Sequence, residues 1–289
     1  MAVLGAFAAQ AAIGQEVGPA ALGPTQPFLE SGDPTPPPPL IYCEHSVEAT
    51  WYTRFDYFSW NEQNGGDRLL DESGTLYTFG YQRRLGSKRF RLELFDGVVD
   101  YSGATQSGAP VESTTAYIGA RGEAEWVWDF DIRPAASTSL VAGLGTRIWI
   151  RDLRDGTIVG NRTDYAEGYQ ETWWTIYPYV GLEKKWLLDG GEEVFLSARL
   201  GVTAVTYVMP SLVTIAKDSD GNAIGYIDPA PLFPSANMTS QIELGLRYGP
   251  LIGSAFFESM TWQESAVARG LYQPDSRMMT IGLKLGLCF

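Results

Sequence analysis

The chain has 289 residues and carries 21 Lys and Arg against 34 Asp and Glu, a formal charge of −13, with 32 Gly, 15 Tyr and 9 Trp. That balance excludes nucleic acid as a partner, because phosphate binding needs a basic surface. No apolar run approaches the roughly 18–20 residues of a membrane-spanning helix, and the apolar residues are instead dispersed in alternating patterns.

Residues 1–14 are apolar and small and have the pattern of a secretory signal without its basic start, as in a truncated signal peptide. Ala12-Ile13-Gly14 before Gln15 fits a small-x-small cleavage site. Residues 15–46 form a tail with Pro34 and Pro36–Pro39, which favour an extended conformation without internal hydrogen bonds.

From Val47 the chain shows ten segments with period-two alternation, the pattern of β-strands with one apolar and one polar face. Val47–Asn61 sets Trp51, Phe55 and Tyr57 against Arg54 and Asp56. Thr75–Leu85 shows Tyr77, Phe79 and Tyr81. Lys88–Phe95 sets Phe90, Leu92 and Leu94 against Arg89, Arg91 and Glu93. Thr114–Trp128 sets Ile118, Trp126 and Trp128 against Arg121, Glu123 and Glu125. Thr138–Arg151 sets Leu140, Leu144 and Ile148 against Arg147 and Arg151.

Glu171–Leu187 sets Trp174, Val180 and Leu182 against Glu183 and Lys185. Glu193–Tyr207 sets Leu196, Leu200 and Val202 against Arg199. Thr239–Tyr248 sets Ile242, Leu244 and Leu246 against Glu243 and Arg247. Ile252–Gln263 is ambiguous in phase, with Glu258 placed on the polar face. Arg277–Phe289 alternates to its last residue, with Ile281, Leu283, Leu285, Leu287 and Phe289 against Lys284 and Cys288.

The connections alternate in length. Leu85–Lys88, Phe130–Ser137, Leu188–Glu192 and Gly249–Leu251 are short. Asn61–Gly74, Gly97–Ser113, Asp152–Gln170, Val208–Met238 and Glu264–Asp275 are long. Short–long alternation with an even strand number is the pattern of an up-and-down barrel whose termini lie on one side. Trp51, Trp126, Trp128, Trp186 and Tyr248 fall at strand ends on that side, as an interfacial aromatic girdle would. A soluble sandwich or lipocalin-like barrel is the competing fold, and it would turn the apolar face inward.

The alternating tail ending on Phe289 resembles the C-terminal assembly signal of bacterial outer-membrane β-barrel proteins, and the ten segments from Val47 to Phe289 resemble that class as a whole. The resemblance implies an all-β, transmembrane, antiparallel up-and-down β-barrel over residues 47–289. It also implies residence in the bacterial outer membrane with both termini periplasmic. Outer-membrane lipid and the barrel-assembly machinery would be its partners. Small anionic solutes are a further candidate partner.

With the apolar face in lipid, the polar face lines the lumen. The expected lining is Arg54, Asp56, Arg89, Arg91, Glu93, Arg121, Glu123, Glu125, Arg147, Arg151, Glu183, Lys185, Arg199, Glu243, Arg247, Glu258 and Lys284. Cations outnumber acids in this set, so a mildly basic lumen is expected. The side chains either pair and fill the lumen, because an unpaired buried charge is costly, or leave a thin, weakly anion-preferring channel. On the fifth segment Gly143 faces the lumen and Leu144 the lipid. Serine at 143 is therefore expected to cost much less than arginine at 144.

Ten strands is the size of the omptin proteases, which the chain resembles in that alone. Omptin chemistry implies an acid–His pair at the outer side. The only His is His45, which precedes the first strand. No nucleotide-binding loop or Cys pair at metal spacing occurs, and Asp218-Ser219-Asp220-Gly221-Asn222 lacks the closing Glu of a Ca²⁺ loop. The expectation is a non-enzymatic porin-like or structural barrel without cofactor or metal. The alternatives are a surface adhesin or receptor acting through residues 208–238, and an omptin-sized hydrolase. Cys43 and Cys288 would both lie at the periplasmic side, which makes them a disulfide candidate, although Cys43 shares parity with outward residues.

Overall fold

The computed structural model describes residues 47–104, 109–133, 135–159, 165–211, 214–217, 223–227 and 229–289. Ten strands make the wall: β1 Val47–Asn64, β2 Asp67–Leu85, β3 Lys88–Ala104, β4 Pro110–Arg133, β5 Ala136–Leu153, β6 Tyr169–Leu187, β7 Glu193–Val202, β8 Met238–Tyr248, β9 Leu251–Ser265 and β10 Asp275–Cys288. Val205–Pro210 continues β7 along β6 after a break at Thr203–Ala204. Each strand pairs antiparallel with the next. β10 then pairs with β1, from Thr50 opposite Cys288 to Gln63 opposite Asp275. The sheet is closed, so no wall strand is left as an unpaired edge.

Alternation decides which face is which. Trp51, Phe55, Tyr57, Phe79, Leu94, Ile118, Leu144, Val180, Leu244 and Leu283 are exposed on the outside. Arg54, Asp56, Glu93, Arg121 and Glu258 are buried inside. Apolar groups outside and charges inside invert a soluble barrel and suit one whose outer solvent is lipid. Trp51, Trp126, Trp128, Trp186 and Tyr248 all point outward near the turns at the end where β1 begins and β10 ends.

The connections differ from expectation at the opposite end. Asn61–Gly74 is no long loop: β1 and β2 continue to a tight turn at Gly65-Gly66, whose φ values of 58° and 94° favour glycine. β3 likewise runs on to Ala104, and β4 begins at Pro110. β4 has 24 residues, more than twice the roughly 9–11 that cross a bilayer. Outward residues on β1 turn polar at Ser59, Asn61 and Gln63. The wall therefore continues past the apolar belt as a polar collar. In the 208–238 connection, Thr214–Lys217 pairs with Ala223–Ile227 in a separate hairpin.

Gly143 is not a vacant lumen position. A Cβ there would meet the Tyr179 ring at 2.5 Å, and Gly145 lies similarly beneath Tyr177. Inward aromatic rings lie over these glycines and fill the space that their missing side chains leave.

Candidate functional site

The lumen is filled in layers, and β5 crosses three of them with successive inward residues, Arg147, Trp149 and Arg151. Nearest the start of β1 and the end of β10, Arg89 bonds Glu183 at 2.5 Å and also pairs with Glu125. Arg199 lies 3.2 Å from both Glu183 and Glu125. Lys284 pairs with Glu243, which also accepts from Ser254 at 2.7 Å. At the rim Lys185 meets Glu193 at 3.1 Å, and Arg247 meets Glu48 at 3.0 Å.

The middle layer spans the barrel. Arg54 on β1 bonds Asp56 at 3.0 Å and Glu93 on β3 at 3.1 Å. Arg121 on β4 bonds Glu123 at 2.5 Å and reaches Glu258 on β9 at 2.8 Å. Arg91 lies 3.0 Å from Glu123, and Arg147 lies 3.4 Å from Glu258. Tyr52 donates to Glu93 at 2.7 Å, and Tyr177 donates to Glu123 at 3.0 Å. Glu258, ambiguous in the sequence, is buried at the centre.

Above this layer lie four tryptophans, Trp60, Trp149, Trp173 and Trp262. Trp149 and Trp173 stack at 5.3 Å, and Trp60 lies 4.9 Å from Trp173. Each indole is essentially fully buried. In the collar beyond them, Arg151 is surrounded by three carboxylates: Glu72 at 2.8 Å, Glu171 at 2.9 Å and Glu62 at 3.2 Å. Trp60 donates to Glu62 and Trp173 to Glu171, each at 2.9 Å. Tyr117 also donates to Glu72. Glu62 lies beyond the apolar belt, and burial pushes its carboxyl up to about 7 despite the opposing pull of Arg151. Glu62 and Glu171 form the floor of an open vestibule of about 800 Å³ walled by Tyr101, Tyr169, Leu232 and Tyr272.

Glu62, Glu72 and Glu171 were absent from the expected lining, because Asn61–Gly74 looked like a loop and Glu171 like a strand start. Together with the rim acids Glu48 and Glu193 they remove the expected basic excess. The four lumen tryptophans were also missed. Their parity gave the signal: Trp60 shares a face with Arg54, and Trp149 lies between Arg147 and Arg151.

His45 and Cys43 lie outside the described residues, as do the signal and the Pro-rich tail. The Cys288 thiol is buried, 3.3 Å from Arg247 and 3.4 Å from Glu48. Among the described residues no cluster of His, Cys, Asp and Glu could hold a metal ion. Phe289 points outward, and its backbone N–H donates to Ala49 at 2.8 Å.

A closed antiparallel barrel of ten strands, apolar outside and charged within, is the fold of the bacterial outer-membrane β-barrels. Among solved structures, the chain is similar to the outer membrane protease OmpT from Escherichia coli. Identity is 9%, coverage is 84% of this chain and 96% of that one, and the TM-score is 0.49. It is similar also to Neisserial surface protein A, at 9% identity, 82% and 96% coverage and a TM-score of 0.28. A third is the Pseudomonas putida toluene transporter TodX, at 8% identity, 83% and 89% coverage and a TM-score of 0.29. These likenesses are of fold alone. No protein-family model and no curated protein matches the chain.

Proposed function

We propose that this protein is a non-enzymatic outer-membrane barrel with a sealed lumen, a structural barrel that displays its collar and loops rather than a diffusion porin. The observation that carries this reading is the pairing of Arg121 with Glu258 across the lumen, beneath four packed tryptophans. Ten strands enclose little space, and here side chains from opposite walls meet in it. The short turns and both termini are periplasmic in this reading, and the collar is extracellular. Lipid covers the belt, and the barrel-assembly machinery receives the last strand. A Cys43–Cys288 bridge would belong to the periplasmic end, and intact mass after alkylation without reductant reads it directly.

Single-channel recording in planar bilayers tests the proposal. Folded protein, identified by heat-modified gel migration, is expected to give no steady conductance. Stable ohmic steps would overturn the sealed reading and restore the porin. A surface-receptor role is the second reading, supported by the vestibule and by the exposed Phe233 packed 5.8 Å from Tyr207 at the rim.

A further inference from the structure

At the end of the lumen where β1 begins and β10 ends, the wall surrounds an open cavity of about 80 Å³. A water needs roughly 10–15 Å³ by this measure, so there is room for a few waters or one tetrahedral oxyanion. Arg89, Arg91, Arg199 and Lys284 line it, together with Gln82 and Ser197. The four carboxylates in the same wall are already engaged: Glu183 by Arg89 and Arg199, Glu243 by Lys284 and Ser254, Glu48 by Arg247 and Glu193 by Lys185.

One buried polar group of β7 is not satisfied. Ser197 is 6% exposed, and among the described residues its hydroxyl has no hydrogen-bond partner. Arg199, two residues on and on the same face, is 7% exposed. Its Nε is ion-paired with Glu125 at 3.2 Å. A buried donor without an acceptor is costly, so a site that keeps one beside guanidinium groups suits an acceptor that arrives from outside.

We propose that this cavity is a binding site for a small inorganic oxyanion of the phosphate or sulfate class, held by Ser197 Oγ–H among the lumen arginines. With the middle layer and the tryptophans above it, the site is a dead end that binds an anion without conducting it. The inference does not depend on the sealed reading, since conductance and binding are measured separately.

The test is calorimetric titration of inorganic phosphate into the folded, full-length barrel in detergent micelles, with chloride at matched ionic strength as comparator. Saturable binding at one site per chain is expected, absent for chloride and about tenfold weaker in Ser197→Ala, the loss of one hydrogen bond to a charged ligand. Gln82→Glu puts a carboxylate in the same wall without touching Ser197 and is expected to weaken phosphate binding as well. It decides the matter alone if Ser197→Ala fails to show heat-modified migration. No saturable heat, an equal response to chloride, or unchanged affinity in the folded variants would overturn the proposal.

Discussion

Arg121 and Glu258 are 137 positions apart in the chain and meet across the lumen at 2.8 Å. Glu258 also lies 3.4 Å from Arg147 and 3.8 Å from Arg54. One carboxylate thus ties β1, β4, β5 and β9 together at the centre of the barrel.

Removing that carboxylate takes the ion contact of Arg147 and one partner each from Arg121 and Arg54. Glu258→Ala is expected to cost about 3–5 kcal/mol, the usual penalty for breaking a buried pair from one side. Arg147→Met is expected to cost under about 1 kcal/mol or to stabilise. Among the described residues Arg147 makes one ion contact, at 3.4 Å, and its Nε has no hydrogen-bond partner. Reversible urea unfolding followed by tryptophan fluorescence measures both, and equal losses would contradict this account of the middle layer.

Leu144→Arg places a charge on the outer face of β5 and is expected to cost about 2–4 kcal/mol in a bilayer. Gly143→Ser now carries its own expected cost of about 1–3 kcal/mol, because the Tyr179 ring occupies the space a side chain would enter. The two separate by solvent: the arginine penalty depends on lipid, and the serine penalty persists unchanged in micelles. An arginine tolerated equally in both would mean that Leu144 does not face lipid.

Deleting Phe289 removes the last rung of the closing seam, where Phe289 and Ala49 exchange backbone hydrogen bonds at 2.8 and 3.3 Å. The folded, membrane-inserted fraction, read from heat-modified migration after expression, is expected to fall. Insertion at the full-length level would show that the seam closes without it.

Glu62 sets a pH dependence. Its carboxyl is raised from 4.5 to about 7 in the folded barrel, so the native state holds a proton that the unfolded chain releases. The associated stability is complete below about pH 4.5 and is lost as pH rises to about 7. The thermal midpoint is expected to fall over that window and to fall less in Glu62→Gln. Identical slopes for the two proteins would remove Glu62 as the cause.

The sequence by itself determined the strands and their faces. Period-two alternation is a local property, and a residue's parity with Arg54 or Trp51 places it inside or outside without knowledge of any partner. Hence the ten strands and the outward girdle were legible. The ambiguity at β9 arose where apolar residues occupy both faces, as at Phe256, Phe257 and Met260. The collar was illegible for a related reason: beyond the belt both faces of β1 and β2 are polar, so Asn61–Gly74 carries no alternation although its backbone pairs throughout.

What only the tertiary structure decided is who meets whom across the lumen. Parity puts Arg151, Glu62, Glu72 and Glu171 inside, but barrel closure and stagger alone bring four different strands to one point. The same closure sets Tyr179 over Gly143 and leaves Ser197 without a partner. Alternation has a range of two residues, whereas these contacts depend on the register of every intervening strand, which is fixed only when the sheet closes on itself.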